Sequence, residues 1–585
     1  MADKNGIFEK VDPGVKLYRS RFNRGFNKSI DMYPGFLYPV LADICMPGDI
    51  VKPRLRWNIK VNPSKTPFTT PVKGSVFYFA VPMRMIYNTE YGDKNDHFFE
   101  DIVTGGKDGN NSDSLPMLTK PEFYQDYSVS STYLGYTDYT RHVVFKTSAL
   151  TQFLVSLSNC FGYPTFRSSQ NTASGYPNGM TSVKYPATQT YHRAYWRIVS
   201  DYFIDEDTQQ YMMDYRFSAE SAIEPYNSSL RWPGYPFKTL FSRDYFMSAL
   251  KDFLKGTPPA LDLGTVSFPA SSYRGSVLYM PAGSNTPSPL YISPDGPPYA
   301  VGGPYKGTGS TGDGAPYVNV NIPEYSGSVQ GAISVDDMRL AFATQRILER
   351  ANRCGTRYTE YLLSTFKTSP SDGTLQRPYY LGGVRFNIVT PEVLQTSESA
   401  TTPQGTRTGV GFSVGKGGVH TFHCKEWSVL MAVCNIEPEA SYCDGMPKQA
   451  RYASRWDFFN PSMQNLSEQV VEKGEIFSDV TNSLSSYDPA TGFGYQGMWN
   501  ELRTKMDEVS GNFRYSELWD WTMALRYSSV PNLSASFKQI STYMTDIMRP
   551  FSVQNMPPYL CFFRHEITWV RPMVRHPVPG LIDHN

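Results

Sequence analysis

The stretch Tyr18-Arg19-Ser20-Arg21-Phe22-Asn23-Arg24-Gly25-Phe26-Asn27-Lys28 carries four basic side chains, no acid and a ring at every fourth position. Cations can follow a phosphate chain while aromatic faces stack unpaired bases, each stack being worth about 1–3 kcal/mol. Tyr18, Arg19, Arg21, Phe22, Arg24, Phe26 and Lys28 are therefore the expected contacts for single-stranded nucleic acid. An extended arm that packs on a neighbouring subunit explains the same strip, and the two uses are compatible.

Other residue patterns point to chemistry and then fail on context. Gly411-Phe412-Ser413-Val414-Gly415 spells the nucleophile elbow, which needs a strand-to-helix turn to expose its serine. Lys416-Gly417-Gly418 and a strand follow it instead, so a glycine-rich β-turn is expected. The run also misses the phosphate-cradling loop, because Lys416 precedes Gly417 and the upstream glycine is one residue too near. His420, His423, Cys424, Cys434 and Cys443 lack the paired spacing of a closed zinc site and read as core or surface β residues. Asp205-Glu206-Asp207 reads as a solvated turn, and Asp108 to Asp113 lacks the glycine placement of a calcium loop. No metal, cofactor or enzymatic activity is expected.

The elements that must position these residues follow from composition and periodicity. The chain has 585 residues, with 55 basic and 54 acidic side chains, which excludes a polycation that binds nucleic acid over its whole surface. Only 19% of residues are charged and 15% are aromatic, the makeup of a folded chain with extensive contact surfaces. Seven cysteines spread over this length fit reduced thiols. Trp427 to Cys434 is the longest strongly apolar stretch, far short of the roughly 20 residues that span a bilayer. The N-terminus lacks a secretory pattern, which points to the cytosol.

Leu55, Trp57, Ile59 and Val61 alternate with Arg54, Arg56, Asn58 and Lys60, the pattern of a half-buried strand. Val76 to Val81 is apolar throughout and predicts a strand covered on both faces. Val384, Phe386 and Ile388, then Trp427, Val429, Met431 and Val433, then Phe563, His565, Ile567 and Trp569, repeat the two-residue period. Strands near both ends of the chain, parted by long irregular stretches, favour an antiparallel sandwich or barrel with large loops. One long helix is predicted from Ser334 to Arg353, with Val335, Met338, Phe342 and Leu348 as its apolar stripe and Gly355 closing it. Shorter helices are expected at Tyr245 to Leu254 and Trp499 to Asp507. The segment 256–330 holds 12 Gly and 12 Pro among many rings, which favours an ordered surface projection over a disordered linker. A smaller loop of this kind runs from 162 to 190.

Around the long helix, Met338-Arg339, Ala341-Phe342, Gln345, Leu348-Glu349-Arg350, Arg353, Gly355-Thr356-Arg357-Tyr358 and Glu360 make a specific series. It continues through Ser369-Pro370-Ser371-Asp372, Leu375-Gln376-Arg377-Pro378 and Tyr380-Leu381-Gly382-Gly383. Pro47-Gly48-Asp49, Val81-Pro82-Met83-Arg84, Arg193-Ala194-Tyr195 and Arg243-Asp244-Tyr245-Phe246 add islands in the same order. Taken together, the chain resembles the major capsid protein of the microviruses over nearly its whole length, and most of all the gokushovirus-like branch. Ile50, Thr365 and Tyr379 depart from that pattern, standing where the family often has threonine, histidine and glutamate.

The resemblance implies a mainly β chain, residues 1–585 forming a single eight-stranded antiparallel jelly roll with long inserted loops and a few helices. Residues 1–50 would be the N-terminal arm and the lead into the first strand, and 256–330 an inserted loop building a surface protrusion. The implied role is structural: a subunit of a small non-enveloped icosahedral phage capsid of about sixty copies, set by closed symmetry. It would self-assemble in the bacterial host cytoplasm and enclose circular single-stranded DNA. Its further partners would be a small basic DNA-binding virion protein, a host surface receptor, and scaffolding and pilot proteins. From a different class, an aromatic-rich β-sandwich carbohydrate-active enzyme also fits the ring content, but no carboxylate pair for glycoside hydrolysis can be identified. A monomeric single-strand DNA-binding module is a third reading, weakened by one short strip serving so long a chain.

Overall fold

The computed structural model describes residues 18–88, 97–106, 109, 114–117, 124–126, 157–163, 166–168, 187–209, 236–257, 277–279, 288–291, 299–300, 335–355, 357–398, 404–464, 466–478, 487–553 and 556–576. Residues 1–17, Ser334, most of the 162–190 loop, the Asp108 to Asp113 run apart from Gly109, and most of 256–330 lie outside them. The chain forms two compact units, Met1–Phe253 with Cys354–Asn585, and Leu254–Arg353.

In the first unit, eight long strands carry the architecture. They are β1 (Phe26–Met32), β2 (Phe36–Cys45), β3 (Ile50–Val61), β4 (Val72–Pro82), β5 (Tyr379–Ile388), β6 (Phe412–Gly418), β7 (Ser428–Pro438) and β8 (Tyr559–Arg571). One sheet runs β1-β8-β3-β6 and the other β5-β4-β7-β2, every neighbour antiparallel. β1 to β4 alternate between the sheets, β5 returns to the sheet of β4, and β5 to β8 alternate again. This is the winding of a jelly roll. Short strands extend the sheets: Ser20–Asn23 continues the β1 edge along β8, Phe422–His423 lies along β3, and Phe237–Lys238 joins β2.

The period-two pattern decides which side chains fill the sandwich. Leu55, Trp57 and Ile59 of β3 and Phe563, Ile567 and Trp569 of β8 meet Val76 and Tyr78 of β4, Phe386 of β5 and Leu430, Ala432 and Cys434 of β7. Trp57 stacks on Phe386 between the sheets, ring centroids 5.3 Å apart. Fully burying one such ring contributes about 1.5–3 kcal/mol.

The second sheet is covered on its other side too. Phe79, Val81, Val429, Met431 and Val433 pack there against Ala194, Tyr195, Ile198 and Val199 of α1 (Thr190–Tyr202), which explains why the β4 and β7 segments are apolar without alternation. Among the described residues no helix covers the other side of the β1-β8-β3-β6 sheet, and β3 and β8 keep the strict alternation of one wet face.

Phe412 to Gly415 of the glycine-rich run belong to strand β6, not to a turn: Ser413 is buried and accepts a hydrogen bond from Trp57 Nε1 at 3.2 Å. Its glycines serve close approach, since a Cβ on Gly415 would lie 2.4 Å from Trp57 and one on Gly417 2.6 Å from Val384. Tyr245 to Leu254 forms turns and not a helix, and only Asn500–Arg503 of the later segment is helical. Asp205 and Glu206 are not solvated acids: Asp205 pairs with Lys538 at 2.8 Å and Glu206 with Arg357 at 2.5 Å. Arg357 also donates to the carbonyls of Asp201 and Ile204, fixing the start of the helix Tyr358–Phe366. All seven cysteines are free thiols, six of them buried.

In the second unit, Val277–Tyr279, Ser288–Tyr291 and Tyr299–Ala300 form a small antiparallel sheet. The same unit holds all but the last residue of α2 (Val335–Cys354), after which Gly355 takes a left-handed φ of 90°. The expected apolar stripe of α2 is not a core stripe: Val335, Met338 and Phe342 are exposed, and only Leu348 is half-buried.

Candidate nucleic-acid interface

Alternation sends every second residue of β3, β6 and β8 to the uncovered face of the first sheet. Lys52, Arg54, Arg56, Asn58 and Lys60 of β3 are all exposed, while their neighbours from Val51 to Val61 are buried. The register brings further cations beside them. Arg56 lies directly opposite Arg564 of β8 on one side and Lys416 of β6 on the other, so three cations share one row across the sheet. Like charges set directly opposite are destabilising, by about 0.2–1 kcal/mol per pair.

Glu566 offsets part of that repulsion, meeting Arg56 at 2.8 Å and Arg564 at 3.7 Å. Arg21 joins the same face from the strand Ser20–Asn23, opposite Val570. The face therefore gathers Arg21, Lys52, Arg54, Arg56, Lys60, Lys416 and Arg564 against the acids Glu566 and Asp31. Phe562 and Phe412 stand exposed among these cations, 42% and 52% accessible. Arg21, Phe26, Lys52, Arg54, Arg564 and Glu566 line a depression of about 760 Å³, and Arg56, Asn58, Phe562 and Arg564 border a smaller one of about 360 Å³.

The structure divides the seven strip residues named from the sequence. Arg21 lies on this face, Tyr18 and Arg19 precede the paired strand and are exposed, Tyr18 by 68%, and Phe26 is turned to the sandwich side opposite His565, 39% exposed at the sheet edge. Phe22 points inward opposite Trp569 and packs on the sandwich core. Arg24 pairs with Asp43 at 2.9 Å and lies 5.4 Å over the Trp569 ring.

Lys28 is turned inward opposite Phe563 and donates to the Cys160 carbonyl, and burial pulls its pKa below the usual lysine value. Phe26 stacks at 4.9 Å on buried His565, whose pKa is held down to about 4 by burial and by the charge of Lys28. The strip is thus half contact and half anchor, because a strand must send alternate residues into the core.

Sequence reasoning missed Lys52, Arg54, Arg56, Lys60, Lys416 and Arg564 as a site. One signal was within reach: the polar half of β3 holds four cations and no acid. The contributions of β6 and β8 depend on pairing across hundreds of residues. Chemically the face can neutralise phosphates with charge-assisted hydrogen bonds and offer ring faces to bases. Among the described residues no three His, Cys, Asp or Glu side chains gather as a metal-holding group, and no helix is long and apolar enough to cross a membrane.

A jelly roll of this strand order is an architecture that shell-forming coat proteins use. A family model described as capsid protein (F protein) matches residues 162–581. The chain belongs to this family, the major capsid proteins of the microviruses, and is a structural subunit of a small phage capsid. It is similar to capsid protein VP1 of Chlamydia phage 1, at 24% identity over 97% of this chain and 96% of that protein. Capsid protein VP1 of Bdellovibrio phage phiMH2K is 26% identical with the same coverage, and that of Spiroplasma virus 4 is 26% identical over 66% of this chain and 72% of its own length. Nothing supports the carbohydrate-active alternative.

Proposed function

We propose that about sixty copies of this subunit close an icosahedral shell around circular single-stranded DNA, with the uncovered face of the β1-β8-β3-β6 sheet turned to the genome. The observation that carries this reading is the row Lys416-Arg56-Arg564. A sheet that sets three cations side by side loses stability unless an anion joins them, and phosphates are the repeating anions a capsid encloses. The balance of 55 basic to 54 acidic residues supports it, because positive charge is then local and not general. A small basic virion protein supplies the remaining neutralisation. The 256–330 segment forms an outward protrusion that meets the host receptor, and assembly takes place in the host cytoplasm with scaffolding and pilot proteins. The subunit performs no catalysis.

Light scattering and negative-stain microscopy of particles purified from infected cells, before and after nuclease, test this function. Closed particles of roughly sixty subunit masses retaining single-stranded DNA are the expected result. A stable monomer in the presence of every phage partner refutes it.

A further inference from the structure

The long helix α2 has an outward side that neither core formation nor its expected apolar stripe explains. At 100° per residue, Arg339, Arg346, Arg350 and Arg353 fall within an arc of about 60°. All four are exposed. The opposite side, Ala341, Thr344, Gln345, Leu348 and Asn352, is half-buried or buried. Between the arginines Phe342 stands 63% exposed. From Arg339 to Arg353 the comb runs about 21 Å at 1.5 Å per residue.

Structural reasons cover only part of this arrangement. Cations in a last helical turn favour the helix dipole, which accounts for Arg350 and Arg353 but not for Arg339 and Arg346. Arg346 and Arg350 stand at i,i+4, where like charges oppose helix formation. Arg339 meets Asp336 at 3.4 Å, with side chains 76% and 90% exposed, a pairing that contributes little.

We propose that this arginine comb is a second nucleic-acid contact, gripping the phosphates of single-stranded DNA independently of the sheet face. Planar guanidinium groups match phosphate oxygens in pairs, and a cation every one to two turns over about four turns suits an anion that repeats along a chain better than it suits scattered carboxylates. Phe342 offers a ring for a base at the edge of that arc. The proposal rests on the reading that the shell encloses single-stranded DNA, and it names a site separate from the sheet.

Fluorescein-labelled oligothymidylate of about 20 nucleotides, titrated into the full-length subunit at several salt concentrations, tests it. R339Q/R346Q/R350Q/R353Q is expected to reduce the slope of log affinity against log salt by about 3, at about 0.7 per phosphate. The pair R346Q/R350Q should remove about half of that, which keeps the test usable if the fourfold variant fails to fold. The fourfold Arg→Lys variant should retain most of the slope. An unchanged slope in a natively folded variant overturns the proposal, and so does a variant that binds oligothymidylate normally but no longer assembles, which would make α2 a contact between subunits. The sheet variant K416Q/R564Q separates the two readings. If it leaves the slope unchanged while the helix variants lower it, the sheet reading fails and the comb stands. If only the sheet variant lowers it, the comb fails alone.

Discussion

Replacing Lys416 and Arg564 together with glutamine should strengthen the fold while weakening its hold on DNA. Both side chains lie directly opposite Arg56, and each like-charge opposition costs about 0.2–1 kcal/mol, so removing both relieves about 0.4–2 kcal/mol. Against that gain stands the contact of Arg564 with Glu566, 3.7 Å long between side chains 67% and 32% exposed, which contributes about 0–1 kcal/mol. The shorter 2.8 Å pair of Arg56 with Glu566 is kept. The net effect is a gain of up to about 1–2 kcal/mol at low salt, shrinking as salt screens the exposed face.

Urea denaturation of the dissociated subunit at two ionic strengths measures the first effect. Oligothymidylate titration measures the second, with the salt slope expected to fall by about 1.4 for two phosphates lost. A stability loss above about 1 kcal/mol would show that the row is held together by the fold itself and not by a bound anion, refuting the reasoning.

Three further outcomes follow from buried groups. Ser413→Ala removes the acceptor of the Trp57 N–H and should cost about 1–3 kcal/mol in denaturation, because Trp57 is 8% exposed and its donor would be orphaned; a neutral substitution would show that water reaches it. Asp49→Ala should cost about 3–5 kcal/mol, read as lost soluble subunit or a lower denaturation midpoint. Asp49 is fully buried, accepts from the Met46 N–H at 2.9 Å and faces Arg571 Nε at 3.2 Å, so its removal strands a buried guanidinium.

His565, with a pKa held down to about 4 against about 6.5 when unfolded, contributes stability that is complete above pH 6.5 and is lost as pH falls towards 4. The stability difference between the parent and His565→Gln should therefore shrink by up to about 3 kcal/mol across that window in urea titrations. A difference that does not vary with pH refutes it.

The faces of the strands were readable wherever one side stays wet. Lys52 to Lys60 alternate with buried Val51 to Val61 because a two-residue period has only one register that hides the apolar set. The same logic predicted β8 from Phe563, His565, Ile567 and Trp569. What the sequence could not display is partnership at long range. Asp205 looks like a turn acid until Lys538 reaches it from 333 positions away, and the cationic row exists only once β6, β3 and β8 are in register. Glycine misled in the same way: Gly415 and Gly417 suggest a turn, but they are strand residues whose missing Cβ atoms make room for Trp57 and Val384. On α2, counting apolar positions selected Val335, Met338, Phe342 and Leu348, of which only Leu348 lies on the side turned from solvent, beside Ala341 and Thr344. In the strip, cations and rings were counted without their strand phase, which is why Phe22 and Lys28 prove to face inward.

The wet face of the β1-β8-β3-β6 sheet is proposed to hold the genome. Ultraviolet cross-linking of intact, nuclease-treated particles, followed by mass spectrometry of the linked peptides, tests it most directly. Thymidine adducts should concentrate in the peptides around Arg21 to Asn27, Lys52 to Lys60, Phe412 to Lys416 and Phe562 to Glu566. Particles that retain single-stranded DNA but give no adducts in these four peptides, with cross-links confined to other segments, would contradict it.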